Sequence, residues 1–210
     1  MIRKLLLGAG ALSLCAGTLV GLGADVAVAS TPVTMSGPIK CNSYGAMTFT
    51  KPVRNGGANP TSVSVTTTLD HCTGTGTTNG PVTIVKGRLT VTSTTTVTNN
   101  CAAITAGQAL PTMTGQINWT TTGGTARVSD VTFTTPYVYF DYNANLLRFG
   151  FPSTLTAGSY HSQPVAFAHE ASNASGEAYT ALCAAGQPGL STMYFGQTPG
   201  GKAGIVTIGA

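Results

Sequence analysis

Few side chains in this chain could carry out acid–base chemistry. His169 and Glu170 match the first two positions of the His-Glu-x-x-His zinc motif, but position 173 is Asn173 rather than a second histidine. The sequence has no Gly-x-Ser-x-Gly elbow. Asp141 with Glu170 could serve a glycosidase, but any two acids in a chain allow that interpretation. We predict no catalytic residue among the polar candidates, which are His71, His161, His169, Asp70, Asp130, Asp141, Glu170 and Glu177.

A metal centre is the second kind of chemistry to consider, and it needs three or four clustered ligands. The nearest grouping in the sequence is His161, His169, Glu170 and Glu177. These residues converge only if neighbouring strands bring them together, and solvated strand ends or loops explain them better. We therefore predict no metal site and no cofactor.

The densest aromatic cluster lies at residues 137–142 and favours binding rather than catalysis. In a strand, Tyr137 and Tyr139 share one face, and Val138 and Phe140 share the other. Val138 with Phe140 makes the better core pair, which leaves the two tyrosines on the surface. Exposed coplanar tyrosines can stack on sugar rings or contact a protein partner. Tyr137 and Tyr139 are the predicted ligand-binding residues, and burial in the core is the alternative.

The elements that must position these residues are strands. Val63, Val65, Thr67 and Leu69 recur at every second position, as in a half-buried strand. Threonine and valine are frequent and helix formers are scarce, so the composition predicts an all-β protein. A disordered or mucin-like stalk is the alternative for such a composition. The regular spacing of valine and isoleucine and the cysteines argue against it.

Four cysteines follow the N-terminal segment, and an even number in an exported chain indicates two disulfides. Four cysteines allow three connectivities. A turn signal at 55–60 predicts a hairpin, and a turn centred between Gly56 and Gly57 makes opposed residue numbers sum to 113. Because 41 plus 72 equals 113, this register predicts the pair Cys41–Cys72. The pair Cys101–Cys183 follows by elimination.

Residues 1–29 have the pattern of a secretory signal peptide. Arg3 and Lys4 precede a long apolar run, and small residues at 27 and 29 predict cleavage before Ser30. A transmembrane anchor, or lipidation at Cys15, is the alternative. Removing Arg3, Lys4 and Asp25 lowers the formal net charge from +4 to +3, which is too mild and scattered to predict a nucleic-acid partner.

Residues 30–210 are expected to form one domain, with no membrane span after cleavage. A composition shift after residue 135, from threonine-rich to aromatic-rich, could mark a second domain. The inferred Cys101–Cys183 bond argues against that division, because it would tie the two parts together.

Several short motifs occur together along the chain. They are Cys41 near the expected mature N-terminus, Leu69-x-x-Cys72, Asn100-Cys101, Gly115-Gln-Ile-Asn-Trp119, and Leu182-Cys183 before a glycine-rich tail. In this combination the chain resembles the small secreted β-proteins with two disulfides that actinobacteria encode, a family whose function is uncharacterised. The resemblance implies a secreted β-sandwich, and it implies no activity and no site residues.

These observations predict a single β-sandwich of mainly antiparallel strands, with immunoglobulin-like or related Greek-key topology and two disulfides. The predicted function is that of a secreted, non-catalytic binding module, extracellular or associated with the cell envelope, whose partner is a polysaccharide or a protein. The alternatives are a secreted hydrolase with a His/acid site and a self-assembling structural or pore-forming envelope protein.

Overall fold

The structure is a computed structural model, and it describes residues 34–35, 38–74, 77–78, 83–122, 127–141, 146–160, 162–170, 179–196 and 204–209. The predicted signal peptide at 1–29 lies outside the described residues, as do His161 and Glu177. The elements are β1 Thr34–Met35, β2 Ile39–Val53, β3 Pro60–Thr61, β4 Val63–Gly74, β5 Thr77–Thr78, β6 Ile84–Ser93, β7 Val97–Thr98, α1 Cys101–Thr105, β8 Ala106–Ala109, β9 Met113–Thr121, β10 Arg127–Phe133, β11 Tyr137–Asp141, β12 Leu146–Gly158, β13 Pro164–Glu170, β14 Leu190–Phe195 and β15 Gly204–Ile208.

The predicted all-β class is confirmed, and the strand predicted from residue 61 onward is β4. Val63, Val65, Thr67 and Leu69 are all buried, while the residues between them are partly exposed. β4 pairs antiparallel with β2 on one side and with β6 on the other. The predicted turn between β2 and β4 is also present, and Gly56 adopts φ 63° there, a conformation that glycine takes without strain.

The main sheet closes on itself, so the predicted sandwich is wrong. Eight antiparallel strands follow the ring order β10-β9-β6-β4-β2-β15-β13-β12, and β12 pairs back with β10. In-and-out alternation is the same in a sandwich and in a small barrel, because each has one buried face per strand. What separates them is the pairing of β10 with β12, which the local pattern does not encode. Immunoglobulin-like topology is therefore replaced by an eight-stranded barrel.

Apolar side chains occupy the barrel interior. Trp119 is 1% exposed and makes an edge-to-face contact with Tyr160 at a centroid distance of 5.9 Å. The indole Nε1 of Trp119 donates a hydrogen bond to Ser129 Oγ at 2.8 Å, and Ser129 Oγ donates to the Ser159 carbonyl at 2.5 Å. This buried relay satisfies the single polar group of the tryptophan, as its burial requires.

Two long strands, β2 and β12, each pair with two different strands along one edge. β2 pairs with β15 near its start and with β14 further along. β12 pairs with β11 near its start and with β10 further along. β11 and its neighbour β8 therefore extend the sheet beyond the closed ring, and this extension carries Tyr137 and Tyr139.

Both predicted disulfides are present, Cys41–Cys72 and Cys101–Cys183. The register behind the first prediction is right only near the bond. From Phe49 to Asn42 the paired residue numbers of β2 and β4 sum to 112, and the sum becomes 113 only at Lys40 and Ile39. A β-bulge causes this change: His71 adopts φ 47° beside Cys72, and the extra residue shifts the ladder by one.

The second disulfide fastens a helical segment beneath the sheet extension. Cys101 begins α1, whose N-cap Asn100 accepts a hydrogen bond from the Ala102 amide at 2.9 Å through its side chain. Tyr179, four residues before Cys183, donates from its hydroxyl to the Cys101 carbonyl at 3.3 Å. Strands from both the threonine-rich and the aromatic-rich parts of the chain belong to the same barrel. Within the described part of the chain, no helix has the length and apolar character that crossing a membrane requires.

Candidate functional site

β11 presents two tyrosines to solvent, as the alternation of the sequence predicts. Tyr137 is 41% exposed and Tyr139 is 38% exposed, whereas Val138 is fully buried and Phe140 is 8% exposed. Val138 and Phe140 therefore form the core face of β11, and the alternative that the tyrosines lie in the core is excluded. Their outward orientation is confirmed, and their role in binding stays a prediction.

The two phenol rings form a common platform. Their centroids are 6.3 Å apart and their planes differ by 28°. The centroid distance is close to the rise of about 6.6 Å that two residues of a strand span, so the rings follow one another along β11. Both rings are nearly parallel and lie on the outward face of β11. We call Tyr137 and Tyr139 the tyrosine platform.

Gly150 holds one ring of the tyrosine platform in place. It lies directly opposite Tyr137 on β12, at an outward position, yet it is buried. A Cβ atom added to Gly150 would overlap the Tyr137 ring, so the ring lies directly over the glycine. An aromatic ring that covers a cross-strand glycine in this way loses rotational freedom before any ligand arrives. Part of the entropic cost of binding is therefore removed in advance.

An ion pair borders the tyrosine platform at the end near Tyr139. Arg148, which is opposite Tyr139 on β12, donates from Nε to Asp141 Oδ2 at 3.0 Å. Both side chains remain partly accessible, at 31% for Arg148 and 22% for Asp141. The pair supplies hydrogen-bonding groups beside an aromatic surface and carries no net charge. Because it is partly exposed, its contribution to stability is small, on the order of 0–1 kcal/mol.

The buried face of β11 packs against residues close to the second disulfide. Phe140 stacks on Tyr179 with a centroid distance of 5.2 Å and an interplanar angle of 28°. Tyr179 in turn contacts Cys101 of the Cys101–Cys183 bond through its hydroxyl. The strand of the tyrosine platform thus has packed side chains and a disulfide on its opposite side.

The polar candidates whose side chains the structure describes, which are Asp70, His71, Asp130 and Asp141, lie in three separate places. Asp70 and His71 form an exposed pair at 3.0 Å on the β-bulge, with the histidine side chain 80% exposed. Asp130 accepts a hydrogen bond from Gln116 at 2.9 Å on a different part of the barrel. Among the described residues, no three His, Cys, Asp or Glu side chains are close enough to hold a metal ion. Two members of the grouping proposed from the sequence, His161 and Glu177, lie outside the described residues.

Asp141 and Glu170 end up on strands that flank β12. Glu170 on β13 is in register with Arg148, and Arg148 is the ion-pair partner of Asp141. A glycosidase needs one protonated and one ionised carboxyl group. Asp141, the member of this pair whose side chain is described, is paired with the Arg148 guanidinium.

Sequence reasoning missed two contributors to the site, Gly150 and Arg148. The available signal was their spacing on one strand: both occupy the same face of β12. The register that places Gly150 under Tyr137 and Arg148 beside Tyr139 becomes visible only in the folded sheet.

Comparison with known proteins gives no independent guide to function. The chain matches no protein family, and no curated protein and no solved structure is significantly similar to it. The resemblance to small secreted actinobacterial β-proteins therefore stays a prediction. The two disulfides are typical of an oxidising, extracellular setting.

Proposed function

We propose that this protein is a secreted, non-catalytic binding module that recognises carbohydrate, in the extracellular space or at the cell envelope, through Tyr137 and Tyr139. The observation that carries the proposal is the tyrosine platform: two exposed, nearly parallel rings on one strand, one of them fixed over Gly150. Rings held in this way offer flat apolar faces to a ligand at low entropic cost.

Carbohydrate fits this surface better than a folded protein partner does. A sugar ring has an apolar face of C–H groups and a rim of hydroxyls, so it needs aromatic faces beside hydrogen-bonding groups. The two phenol hydroxyls and the Asp141–Arg148 pair supply such groups next to the platform. Stable protein interfaces bury about 800 Å² on each partner around a desolvated core. Two partly exposed tyrosines beside an ion pair are a smaller and more polar feature than such a core.

Export is part of the proposal and is supported by two independent features. The N-terminal segment has the charged, apolar and small-residue regions of a cleavable signal peptide. Both disulfides need an oxidising compartment to form and persist.

The test is binding of the purified disulfide-bonded protein to neutral hexasaccharides, namely cellohexaose, chitohexaose, xylohexaose and mannohexaose, by isothermal titration calorimetry. We expect one or more to bind and the Tyr137→Ala/Tyr139→Ala variant to lose at least tenfold in affinity, equivalent to about 1.4 kcal/mol. Val85→Ala is the matched control, because Val85 is 48% exposed on β6, away from the platform. Absence of binding to all four glycans, or equal binding by the double variant, would refute the proposal.

A further inference from the structure

A row of outward positions continues from the tyrosine platform on β11 across the barrel. Tyr137 is in register with Gly150 on β12, and Gly150 with Ala168 on β13. Ala168 is in register with Ile205 on β15, and Ile205 with Asn42 on β2. These five residues occupy one cross-strand row. With strands about 4.8 Å apart, the four steps from β11 to β2 span about 19 Å along the sheet.

Small residues occupy the middle of this row. Gly150 and Ala168 lie between the large residues Tyr137 and Ile205. In the adjacent row, Pro152 and Ala166 are in register with each other, and both are exposed. A ligand that starts on the platform therefore meets no bulky described side chain before β15.

The far end of the row presents a second set of large exposed residues around β2. Ile205 is 56% exposed and Tyr194 on β14 is 51% exposed. Ile205 is in register with Asn42 and Tyr194 with Ala46, so both flank the same edge of β2. Tyr44 is partly exposed and lies between those two positions on β2. We call Tyr44, Tyr194 and Ile205 the β2 cluster.

The described side chains along this route carry little net charge. Arg148 is paired with Asp141 at the platform. Lys40 is exposed on β2 beyond Asn42. One ion pair and one lysine make neither a basic stripe for an anionic polymer nor an acidic one for a basic partner. The uncharged hydrogen-bonding groups on the route are the amide of Asn42 and the phenol hydroxyls.

We infer that the ligand is a neutral polysaccharide chain which runs across the strands from the tyrosine platform to the β2 cluster, so that the protein binds polymers in preference to short sugars. This inference rests on the proposed function, because the first subsite is the platform. It adds a second subsite that begins at Ile205 on β15. Three strand spacings separate Ile205 from Tyr137, which corresponds to about 14 Å. A disaccharide can occupy one of these subsites but is too short to occupy both.

The test uses the same calorimetry with a chain-length series, from disaccharide to hexasaccharide, of each glycan in the neutral panel. We expect affinity to rise at least tenfold over the series, as for any ligand that gains a second contact region. Tyr194→Ala/Ile205→Ser should lower hexasaccharide affinity about tenfold and leave disaccharide affinity within about twofold, since it removes the second region alone. Tyr137→Ala/Tyr139→Ala should weaken both ligands.

The possible outcomes distinguish failure of the second subsite from failure of the proposed function. If the hexasaccharide binds through Tyr137 and Tyr139 but no better than the disaccharide, the second subsite is refuted and the proposed function stands. The same conclusion follows if Tyr194→Ala/Ile205→Ser and the control Val85→Ala both bind hexasaccharide with the affinity of the unmodified protein. If no glycan binds, both are refuted. Thermal unfolding of each variant shows whether the variant folds. We expect Tyr194→Ala/Ile205→Ser to fold, because Tyr194 is 51% exposed and Ile205 is 56% exposed.

Discussion

Removing the two disulfides separately should destabilise the protein by different amounts and in different places. The variants are Cys41→Ser/Cys72→Ser and Cys101→Ser/Cys183→Ser, each a double substitution so that no single thiol can form a wrong bond. The sequence separations are 31 and 82 residues. The chain-entropy relation assigns about 3.7 kcal/mol to the shorter loop and about 4.5 kcal/mol to the longer one.

The surroundings of each bond increase this difference. Cys41 and Cys72 lie on β2 and β4, which are hydrogen-bonded along their length, so the sheet retains their alignment without the bond. Cys101–Cys183 instead joins α1 to the segment of Tyr179, where side-chain contacts such as Phe140–Tyr179 rather than a strand ladder would replace it. We therefore expect Cys101→Ser/Cys183→Ser to have the lower free energy of unfolding. We also expect it to loosen β8 and β11 while the closed ring persists.

Urea unfolding followed by circular dichroism measures the first expectation, and amide hydrogen exchange measures the second. Exchange should accelerate in β8 and β11 of Cys101→Ser/Cys183→Ser, with β4 and β9 still protected. The reasoning is refuted if Cys41→Ser/Cys72→Ser is the less stable variant. Uniform acceleration of exchange over all strands in Cys101→Ser/Cys183→Ser would likewise show that the barrel depends on the second bond.

Three further substitutions test the site and the core. Gly150→Ala should displace the Tyr137 ring and weaken hexasaccharide binding as much as Tyr137→Ala does, and calorimetry that finds unchanged affinity would contradict the role of the glycine. Tyr137→Ala/Tyr139→Ala should change the free energy of unfolding by less than about 1 kcal/mol, whereas Phe133→Ala in the core should cost about 3–5 kcal/mol in urea unfolding. Ser129→Ala should cost about 1–3 kcal/mol because it leaves the buried indole N–H unpaired, and a neutral effect would show that the group finds another partner.

Local pattern was sufficient to predict the strand faces. The two-residue period assigned Val63 and Leu69 to the core, and it assigned Tyr137 and Tyr139 to the surface. Each of these assignments depends only on which residues share a face of one strand, and that information is local. One turn relates the two strands that carry Cys41 and Cys72, so their proximity is local information too, but their exact alignment depends on the bulge at His71.

Features that depend on distant pairing were not accessible from the sequence. Closure of the barrel requires β10 to pair with β12, and a sandwich would show the same alternation on both strands. The bulge at His71 was equally hidden, so the assumed register matched the ladder only near the disulfide. In the site, the contact between Gly150 and Tyr137 depends on the register of β11 against β12, which the spacing of residues within either strand does not fix.

The most direct measurement of the central claim is nuclear magnetic resonance of protein with isotope-labelled aromatic rings, titrated with the neutral hexasaccharide that binds most tightly. Trp119 is a built-in reference, because it is 1% exposed inside the barrel. If carbohydrate binds at the tyrosine platform, the ring resonances of Tyr137 and Tyr139 shift and saturate with the calorimetric affinity, while those of Trp119 stay unchanged. Saturable binding that leaves the Tyr137 and Tyr139 resonances unshifted would contradict the account.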